Sequence, residues 1–232
     1  GNAFHLEVLH RHFSNDQIRY YLLREVAFGQ DGEVTYQGLI DRSNSDLADG
    51  LGNLASRTLT MIRNYFDGVP PRPPIEEDES AKEVVRHITD SKQRFDAEFD
   101  GLNFSRALEA AWSGIARVDK FITDQQPWKL AKDPSSRPQL ERVLATSYEA
   151  LRHLVLEVAP VLPVTSREIW TQMGLSGDPL RLNPNTAVWG EPIDAAKIER
   201  ISPAFPKLDK EKIMTEIEKE TAPAAAAQPP AA

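Results

Sequence analysis

Apolar residues in this chain recur in steps of three and four, and runs that alternate apolar and polar residues are scarce. This spacing places side chains on one face of an α-helix, whereas a strand needs a period of two. The clearest face lies between about Tyr36 and Phe66, and its members are Leu47, Leu51, Leu54, Thr58, Met61 and Tyr65. Further apolar faces follow over 104–122 and 140–158, with a shorter one at 165–175. The pattern predicts an all-α fold, a helical bundle of four to five main helices with a small N-terminal element.

Local signals predict where several helices begin and end. Ser14 followed by Gln17 is a capping box, in which each side chain satisfies a backbone amide at the helix start. Thr35 can cap the long helix that follows it. A proline-rich acidic run at 67–80 interrupts the helices, because proline lacks the amide donor that a helix needs. A more polar helix is then expected over 80–99.

Composition limits the kinds of protein that this chain can be. Its 232 residues include 41% hydrophobic and 27% charged side chains, enough for a core and for solubility. No apolar run approaches the ~18 residues of a membrane span, so no membrane partner is expected. Cysteine is absent, which excludes disulfides and thiolate metal sites and fits the cytoplasm. The net charge of −8 argues against a surface covered with phosphate contacts but leaves room for a local nucleic-acid site.

Asn53 and Arg57 form the first candidate site. They lie four residues apart in "GLGNLASRTL", so a helix places them on one face, offset from the apolar one. An amide offers a donor and an acceptor, and a guanidinium offers a planar set of donors. Together they can read the edge of an unpaired base. The alternative, two ordinary solvated residues on an exposed face, is the commoner case for such spacing.

Trp128 is the second candidate. It follows Pro127 in "DQQPWKLAKDP", a stretch with little apolar periodicity to bury an indole. Proline suits the first turn of a helix, so Trp128 would project from a stiff helix start beside Lys129 and Lys132. A fixed indole next to cations can stack on a nucleobase, whereas the alternative is a tryptophan buried between helices. The window 117–152 holds seven basic and five acidic residues, which favours phosphate slightly more than the chain as a whole does.

Motifs for catalysis are missing from the sequence. There is no glycine-rich phosphate loop, no supported Ser/His/Asp pattern and no histidine cluster with metal-ligand spacing. His5, His10 and His12 lie near the start and are expected to be solvated. We therefore predict no catalytic residue, cofactor or metal in this chain. The residues themselves indicate a helical bundle with a candidate site for single-stranded nucleic acid.

Five segments together resemble one family. "DQIRYYLLREVAFGQDG", "NSDLADGLGNLASRTLTMI", "DKFITDQQPWKLAK", "PVLPVTSREIW" and "ISPAFPKLD" are similar to successive segments of bacterial methionyl-tRNA synthetases, from residue 1 to about 210. The resemblance implies the C-terminal portion of such an enzyme, beginning just after its KMSKS loop. It divides the chain into a remnant of the stem-contact region (1–35), a helical anticodon-binding bundle (36–175), a C-terminal loop and helix packing on the bundle (176–220), and a disordered Ala/Pro tail (221–232).

The resemblance also implies roles for the candidate residues. Asn53 and Arg57 would read the first anticodon base, a cytosine, and Trp128 would stack on anticodon bases. The implied partners are the tRNA(Met) anticodon stem-loop and the catalytic domain of the same polypeptide. Asp119 stands where many relatives have Asn, so no direct base contact is assigned to it.

The enzyme implied by the resemblance is a methionine–tRNA ligase that uses ATP and Mg²⁺, and structural Zn²⁺ outside this segment is left open. Because the catalytic half would lie outside the chain, the chain by itself is expected to be inactive. Two other functions stay open: the anticodon domain of another class I synthetase, for cysteine, valine or isoleucine, and a helical interaction module without RNA function. The combination of "NLASR" and "PW" favours the methionine family, and salt-dependent affinity for tRNA would separate an RNA-binding protein from the interaction module.

Overall fold

The fold is a helical bundle, described by a computed structural model over residues 5–26, 28–29, 32, 34–72, 78–191 and 194–221. Within these ranges no β-strand forms, and one isolated bridge joins Leu175 to Ala195. The predicted disordered tail lies, beyond Thr221, outside the described residues. The α-helices are α1 (Leu6–His12), α2 (Asn15–Glu25), α3 (Tyr36–Arg42), α4 (Asn53–Tyr65), α5 (Glu79–Asp100), α6 (Phe104–Gln125), α7 (Pro127–Leu130), α8 (Arg137–Val158), α9 (Pro163–Gln172) and α10 (Lys210–Thr221). The all-α class is confirmed.

The capping signals are confirmed at both predicted helix starts. The Ser14 hydroxyl accepts from the Gln17 amide at 3.3 Å, and the Gln17 side chain accepts from the Ser14 amide at 2.8 Å. Thr35 accepts from the Gly38 amide at 3.0 Å at the start of α3. Each cap satisfies amides that the helix itself leaves without a partner.

The long predicted helix is continuous from Tyr36 to Tyr65, but its middle is not α-helical. A π-helical segment, Ser43–Gly52, separates α3 from α4. Neighbouring helices hold this segment at Asp46: the Trp112 indole N–H donates to the Asp46 carbonyl at 2.9 Å, and the Tyr20 hydroxyl donates to its carboxylate at 2.8 Å. Helical periodicity cannot predict this change of pitch, because the apolar spacing fits either geometry over so few turns. π-Helical geometry often lies near functional sites.

The main core lies between the π-helical segment, α4, α5, α6 and α8. The predicted face is confirmed there, since Leu47, Leu51, Leu54 and Thr58 are fully buried and Met61 and Tyr65 are partly buried. Helices α5 and α6 are joined by only three residues, which makes them neighbours in the bundle. Helix α9 adds Ile169 and Trp170 to the same core, and both lie within the shorter apolar face predicted at 165–175.

A second, smaller core joins the two ends of the described chain. It contains Val8, Leu9, Phe13, Tyr21, Leu39, Ile40, Ile213 and Ile217. Helix α10 therefore packs on α1 and α3. His12 is not solvated as predicted: its side chain is 10% exposed and lies 3.3 Å from Glu220 and 3.7 Å from Glu216. The physical reason is that α10, which is distant in sequence, covers it.

The loop-rich segment after α9 is held against α8 through a buried arginine of that helix, Arg152, which also pairs with Glu149 of the same helix. Arg152 binds Glu149 through two contacts of 2.9 and 2.6 Å and donates to the Val188 carbonyl at 2.9 Å. The His153 and Trp189 rings stack 5.0 Å apart. These contacts attach the C-terminal segment to the bundle, while the domain boundaries inferred from the family resemblance stay a prediction.

Candidate nucleic-acid interface

Asn53 and Arg57 lie on one exposed face of α4, directly after the π-helical segment. Asn53 is exposed, and its side-chain amide makes no hydrogen bond with any described residue, while its backbone N–H donates to the carbonyls of the preceding turn. Arg57 lies one turn further, with a side chain that is 30% exposed. The structure therefore brings these two predicted residues together at the surface, where both can reach a ligand.

Arg57 has a partner that the sequence analysis did not assign. Its Nη1 donates to the Oδ1 of Asp119, which forms an ion pair between α4 and α6. The sequence analysis assigned Asp119 no contact with a base. In the structure, Asp119 contacts Arg57, the arginine that was predicted to read a base. No local pattern reveals this pair, because the two residues are 62 positions apart. The sequence offered only one weak signal for the pair: Asp119 carries a carboxylate on a predicted helix that could pack beside α4.

Trp128 is exposed at a helix start, as the sequence predicted. Pro127 is buried at the first position of α7, and Gln126 before it has a left-handed conformation with φ of 49°. This turn ends α6 and points the chain in a new direction. The Trp128 residue is 38% exposed, and its indole N–H donates to no group in the described ranges. The alternative of a tryptophan buried between helices is wrong.

Trp128 and the Arg57–Asp119 pair are both connected to the C-terminal part of α6. Asp119 precedes Gln125, the last residue of α6, by six positions, which corresponds to about 9 Å along the helix axis at ~1.5 Å per residue. Helix α7 continues beyond that end. Both candidate groups therefore lie toward the same end of α6.

A cleft lined by both charged and apolar residues lies beside α7. Its volume is about 290 Å³, and its lining includes Lys132, Asp133 and Arg137. The Arg137 guanidinium lies 3.8 Å above the Phe66 ring centre and donates to the Tyr65 carbonyl at 2.7 Å. Lys129 and Lys132 are both exposed next to Trp128. The surroundings of the indole therefore combine an aromatic face with cations, the features that single-stranded nucleic acids bind.

The described residues do not supply a metal site. No group of three or more His, Asp or Glu side chains within the described ranges could hold a metal ion, and the sequence has no cysteine. No helix in those ranges is long and apolar enough to cross a membrane. The chemistry that the arrangement supports is recognition, by hydrogen bonds from α4 and stacking on α7.

The chain that carries this exposed polar and aromatic surface is similar in sequence to class I aminoacyl-tRNA synthetases. The family model described as tRNA synthetases class I (M) matches residues 1–59.

More particularly, the chain is homologous to bacterial methionine–tRNA ligases. It is 38% identical to the enzyme of Caldanaerobacter subterraneus subsp. tengcongensis over 221 residues, which is 95% of this chain and 34% of that protein. It is 37% identical to the enzyme of Listeria monocytogenes over 95% of this chain and 33% of that protein. The chain thus spans about a third of the length of the curated relatives it matches.

Solved structures of one such enzyme have the same fold over most of this chain. The free methionyl-tRNA synthetase of Mycobacterium tuberculosis matches with a TM-score of 0.76 and 32% identity, covering 84% of this chain and 39% of that one. The same enzyme bound by methionyl-adenylate matches with a TM-score of 0.77 and 31% identity, covering 86% of this chain and 39% of that one.

Proposed function

We infer that this chain is the anticodon-recognising part of a methionine–tRNA ligase and that its ATP-dependent catalytic half lies outside the segment. The inference is supported by homology to methionine–tRNA ligases over 95% of the chain, together with coverage of only about a third of those proteins. Its RNA partner is the anticodon stem-loop of tRNA(Met), and its protein partner is the catalytic domain of the same polypeptide. We place the protein in the cytoplasm, where translation occurs.

The observation that carries this proposal is the exposure of Trp128. A tryptophan that is 38% exposed on a one-turn helix started by a buried proline is a costly feature for a chain with no ligand there. Stacking on an unpaired base covers the ring and contributes about 1–3 kcal/mol per base. A mildly acidic bundle can bind an RNA loop in this way, because base edges and stacking require less phosphate neutralisation than a duplex does.

Asn53 and Arg57 read the first anticodon base in this proposal. Cytosine presents a carbonyl and a ring nitrogen as acceptors and an amino group as donor on its pairing edge. The Arg57 guanidinium matches the acceptors, and the Asn53 amide can match either kind of group. Trp128 stacks on the anticodon bases from α7. The three residues thus divide recognition between hydrogen bonding and stacking.

The catalytic part of the whole enzyme supplies the ATP chemistry with Mg²⁺, and any structural Zn²⁺ belongs to that part as well. The solved relative in complex with methionyl-adenylate shows the ATP-derived intermediate for that protein. We propose no metal ligand among the described residues, where no group of three or more His, Asp or Glu side chains could hold an ion. We expect the purified chain to show no methionine-dependent exchange of pyrophosphate into ATP, and measurable exchange would contradict the proposal.

The proposal is tested by the affinity of the 232-residue chain for RNA hairpins that carry the methionine anticodon or a variant with its first cytosine replaced by guanine. We expect Arg57→Ala to weaken binding to the cytosine hairpin and to remove most of the preference, since a base contact contributes about 1–3 kcal/mol of discrimination by analogy with duplex readout. Lys82→Ala, which removes an exposed cation paired with Glu79 on α5, is the control and should preserve both values.

Other outcomes identify the competing functions. Equal affinity of the unaltered chain for the two hairpins would exclude the base-reading role. Preference for a cysteine, valine or isoleucine anticodon would assign the chain to another class I synthetase. Affinity that is absent, or insensitive to salt between two concentrations, would indicate an interaction module without RNA function.

A further inference from the structure

The contact between Arg57 and Asp119 uses only part of the guanidinium. Nη1 donates to Oδ1 of Asp119, and within the described ranges no acceptor contacts Nε or Nη2. A guanidinium has five N–H donors, so most of them remain available to a ligand. The carboxylate thus anchors one end of the planar group and leaves the rest of it open.

Anchoring reduces the conformational cost of using Arg57 to bind a base. A free arginine side chain loses about 2 kcal/mol of rotamer entropy when it is held in one geometry. Asp119 is well placed to hold it, because α6 is fixed in the main core by Val118 and Phe121, which are almost fully buried on either side of it. The ion pair therefore connects an exposed side chain to a rigid element before any ligand arrives.

The pair also changes what Arg57 attracts. Asp119 is 42% exposed at its side chain, so its negative charge acts at the same surface as the positive charge of Arg57. The two formal charges cancel at short range. A phosphate gains little from such a neutral pair, whereas a base edge still finds N–H donors in a fixed plane.

We propose that Asp119 is a positioning and specificity-determining residue: it holds the Arg57 guanidinium with its free donors toward the first anticodon base and prevents Arg57 from serving as a general phosphate anchor. This inference rests on the proposed function and extends it to a residue that sequence reasoning had set aside. Asp119 acts through Arg57 and does not touch the base.

The test is Asp119→Asn in the 232-residue chain, with affinities for the cytosine and guanine hairpins measured at four salt concentrations. The preference for cytosine should fall about three- to tenfold, the size expected when a charge-assisted hydrogen bond becomes a neutral one. The dependence of affinity on salt should become steeper by up to about one phosphate contact, a slope change of ~0.7 for single-stranded RNA. A residue with only a structural role would not change that slope.

Glu83→Gln is the matched control, because Glu83 of α5 binds Arg117 of α6 through one guanidinium nitrogen at 2.7 Å and is 61% exposed. It removes the same charge from a comparable pair between helices and should leave preference and slope unchanged. A second measurement is the double variant Arg57→Ala with Asp119→Asn, which should behave as Arg57→Ala alone. Thermal unfolding of every variant verifies that it is folded.

The outcomes separate this inference from the proposed function. If the unaltered chain does not prefer the cytosine hairpin, the proposed function fails and Asp119 has nothing to position. If the unaltered chain does prefer it, but Asp119→Asn keeps the same preference and salt slope, the inference alone is overturned. The inference is overturned as well if Glu83→Gln changes the cytosine preference and the salt slope as much as Asp119→Asn does, because both changes would then reflect the overall charge of the chain.

Discussion

At the scale of single residues, the four tryptophans occupy different environments, and all four lie in the described part of the chain. Trp170 is 4% exposed and its indole donates to the Ser176 carbonyl at 2.9 Å, while Trp112 and Trp189 are partly buried against Tyr20 and His153. Trp128 alone is exposed. Partial exposure of the indole therefore distinguishes Trp128 from the other three tryptophans, and its role can be tested by comparison with a buried tryptophan.

We predict that Trp128→Ala loses about one to two decades of affinity for the anticodon hairpin, because base stacking contributes roughly 1–3 kcal/mol. Trp128→Phe should retain much of the binding, since a smaller aromatic face still stacks. Affinity and thermal unfolding are measured on the same preparations. Trp170→Ala provides the contrast and should lower the free energy of unfolding by about 3–5 kcal/mol, the cost of emptying a core site. A comparable loss of stability in Trp128→Ala, with affinity intact, would contradict stacking.

Glu157 is a buried acid whose titration affects stability. It is 3% exposed, and neither carboxylate oxygen has a hydrogen-bond partner among the described residues. Burial raises its pKa to about 8, because removal from water disfavours the carboxylate; Lys92 lowers the pKa and Asp96 raises it by smaller amounts. Folded Glu157 therefore keeps its proton at pH values where an exposed glutamate has lost it.

We predict that the Glu157 contribution to the free energy of unfolding falls as pH rises from 4.5, the ordinary pKa, to about 8, and is constant above that. The sign follows because in this window the folded state binds one proton more than the unfolded state, which corresponds to a loss of about 1.4 kcal/mol per pH unit. The Glu157→Gln side chain cannot titrate. In urea unfolding from pH 5 to pH 9, the free energy of unfolding of this variant should therefore rise relative to that of the unaltered chain as the pH increases. Glu168→Gln, at an exposed site on α9, is the control. Parallel pH profiles for Glu157→Gln and the unaltered chain would show that Glu157 is not protonated in the fold.

At the scale of elements, the end of α9 shows how one glycine connects two distant segments. Gly174 follows the helix with φ of 77°, and its carbonyl accepts from the Ala196 amide at 2.8 Å. A Cβ at this position would lie 2.1 Å from the Ala196 carbonyl oxygen. Both the positive φ and the close backbone approach therefore require glycine there.

We predict that Gly174→Ala lowers the free energy of unfolding clearly more than Gly177→Ala does. Gly177 also has a positive φ, of 82°, but nothing in the described ranges lies within 4 Å of its virtual Cβ. The Gly177 variant should lose only the left-handed strain, about 1–2 kcal/mol. The Gly174 variant must in addition displace a backbone carbonyl. Urea denaturation of both variants measures the difference, and equal losses would mean that the contact with Ala196 relaxes without cost.

At the scale of the whole molecule, two cores of different size divide the chain. The larger one holds the bundle that carries the candidate site, and the smaller one joins α1 and α3 to α10. Arg11 on α1 forms an ion pair with Glu220 on α10, and the His12 ring lies 3.3 Å from the same carboxylate. Because so little apolar surface joins α10 to the rest, the ends of the described chain should open more easily than the bundle.

We predict that Ile217→Ala, in the small core, lowers hydrogen-exchange protection in α1 and α10 and leaves α6 and α8 nearly unchanged. The substitution removes buried methyl groups at a cost of about 2–5 kcal/mol, and the local opening free energy of the small core should fall by that amount. Val155→Ala, at a fully buried position of the main core, should instead reduce protection throughout the bundle. Uniform loss of protection in the Ile217 variant would mean that the two cores unfold together.

Local spacing in the sequence was enough to predict the elements. The helices expected over 80–99, 104–122 and 140–158 are observed at 79–100, 104–125 and 137–158. They were predictable because residues three and four apart share a helix face, whichever neighbour that face meets. The placement of Trp128 on α7 was predictable for the same kind of reason, since a proline and its following residue define a helix start locally.

Only the tertiary structure decided which helix faces meet. The Arg57–Asp119 pair joins residues far apart in sequence, and α2 and α6 both contact the π-helical segment at Asp46. His12 is covered because α10 packs on α1. Each of these depends on how helices cross, and helix crossing is determined by side-chain packing across the whole core. The sequence by itself therefore determined an all-α bundle and the exposure of Asn53 and Trp128. The partner of Arg57 was set by the packing of α4 beside α6.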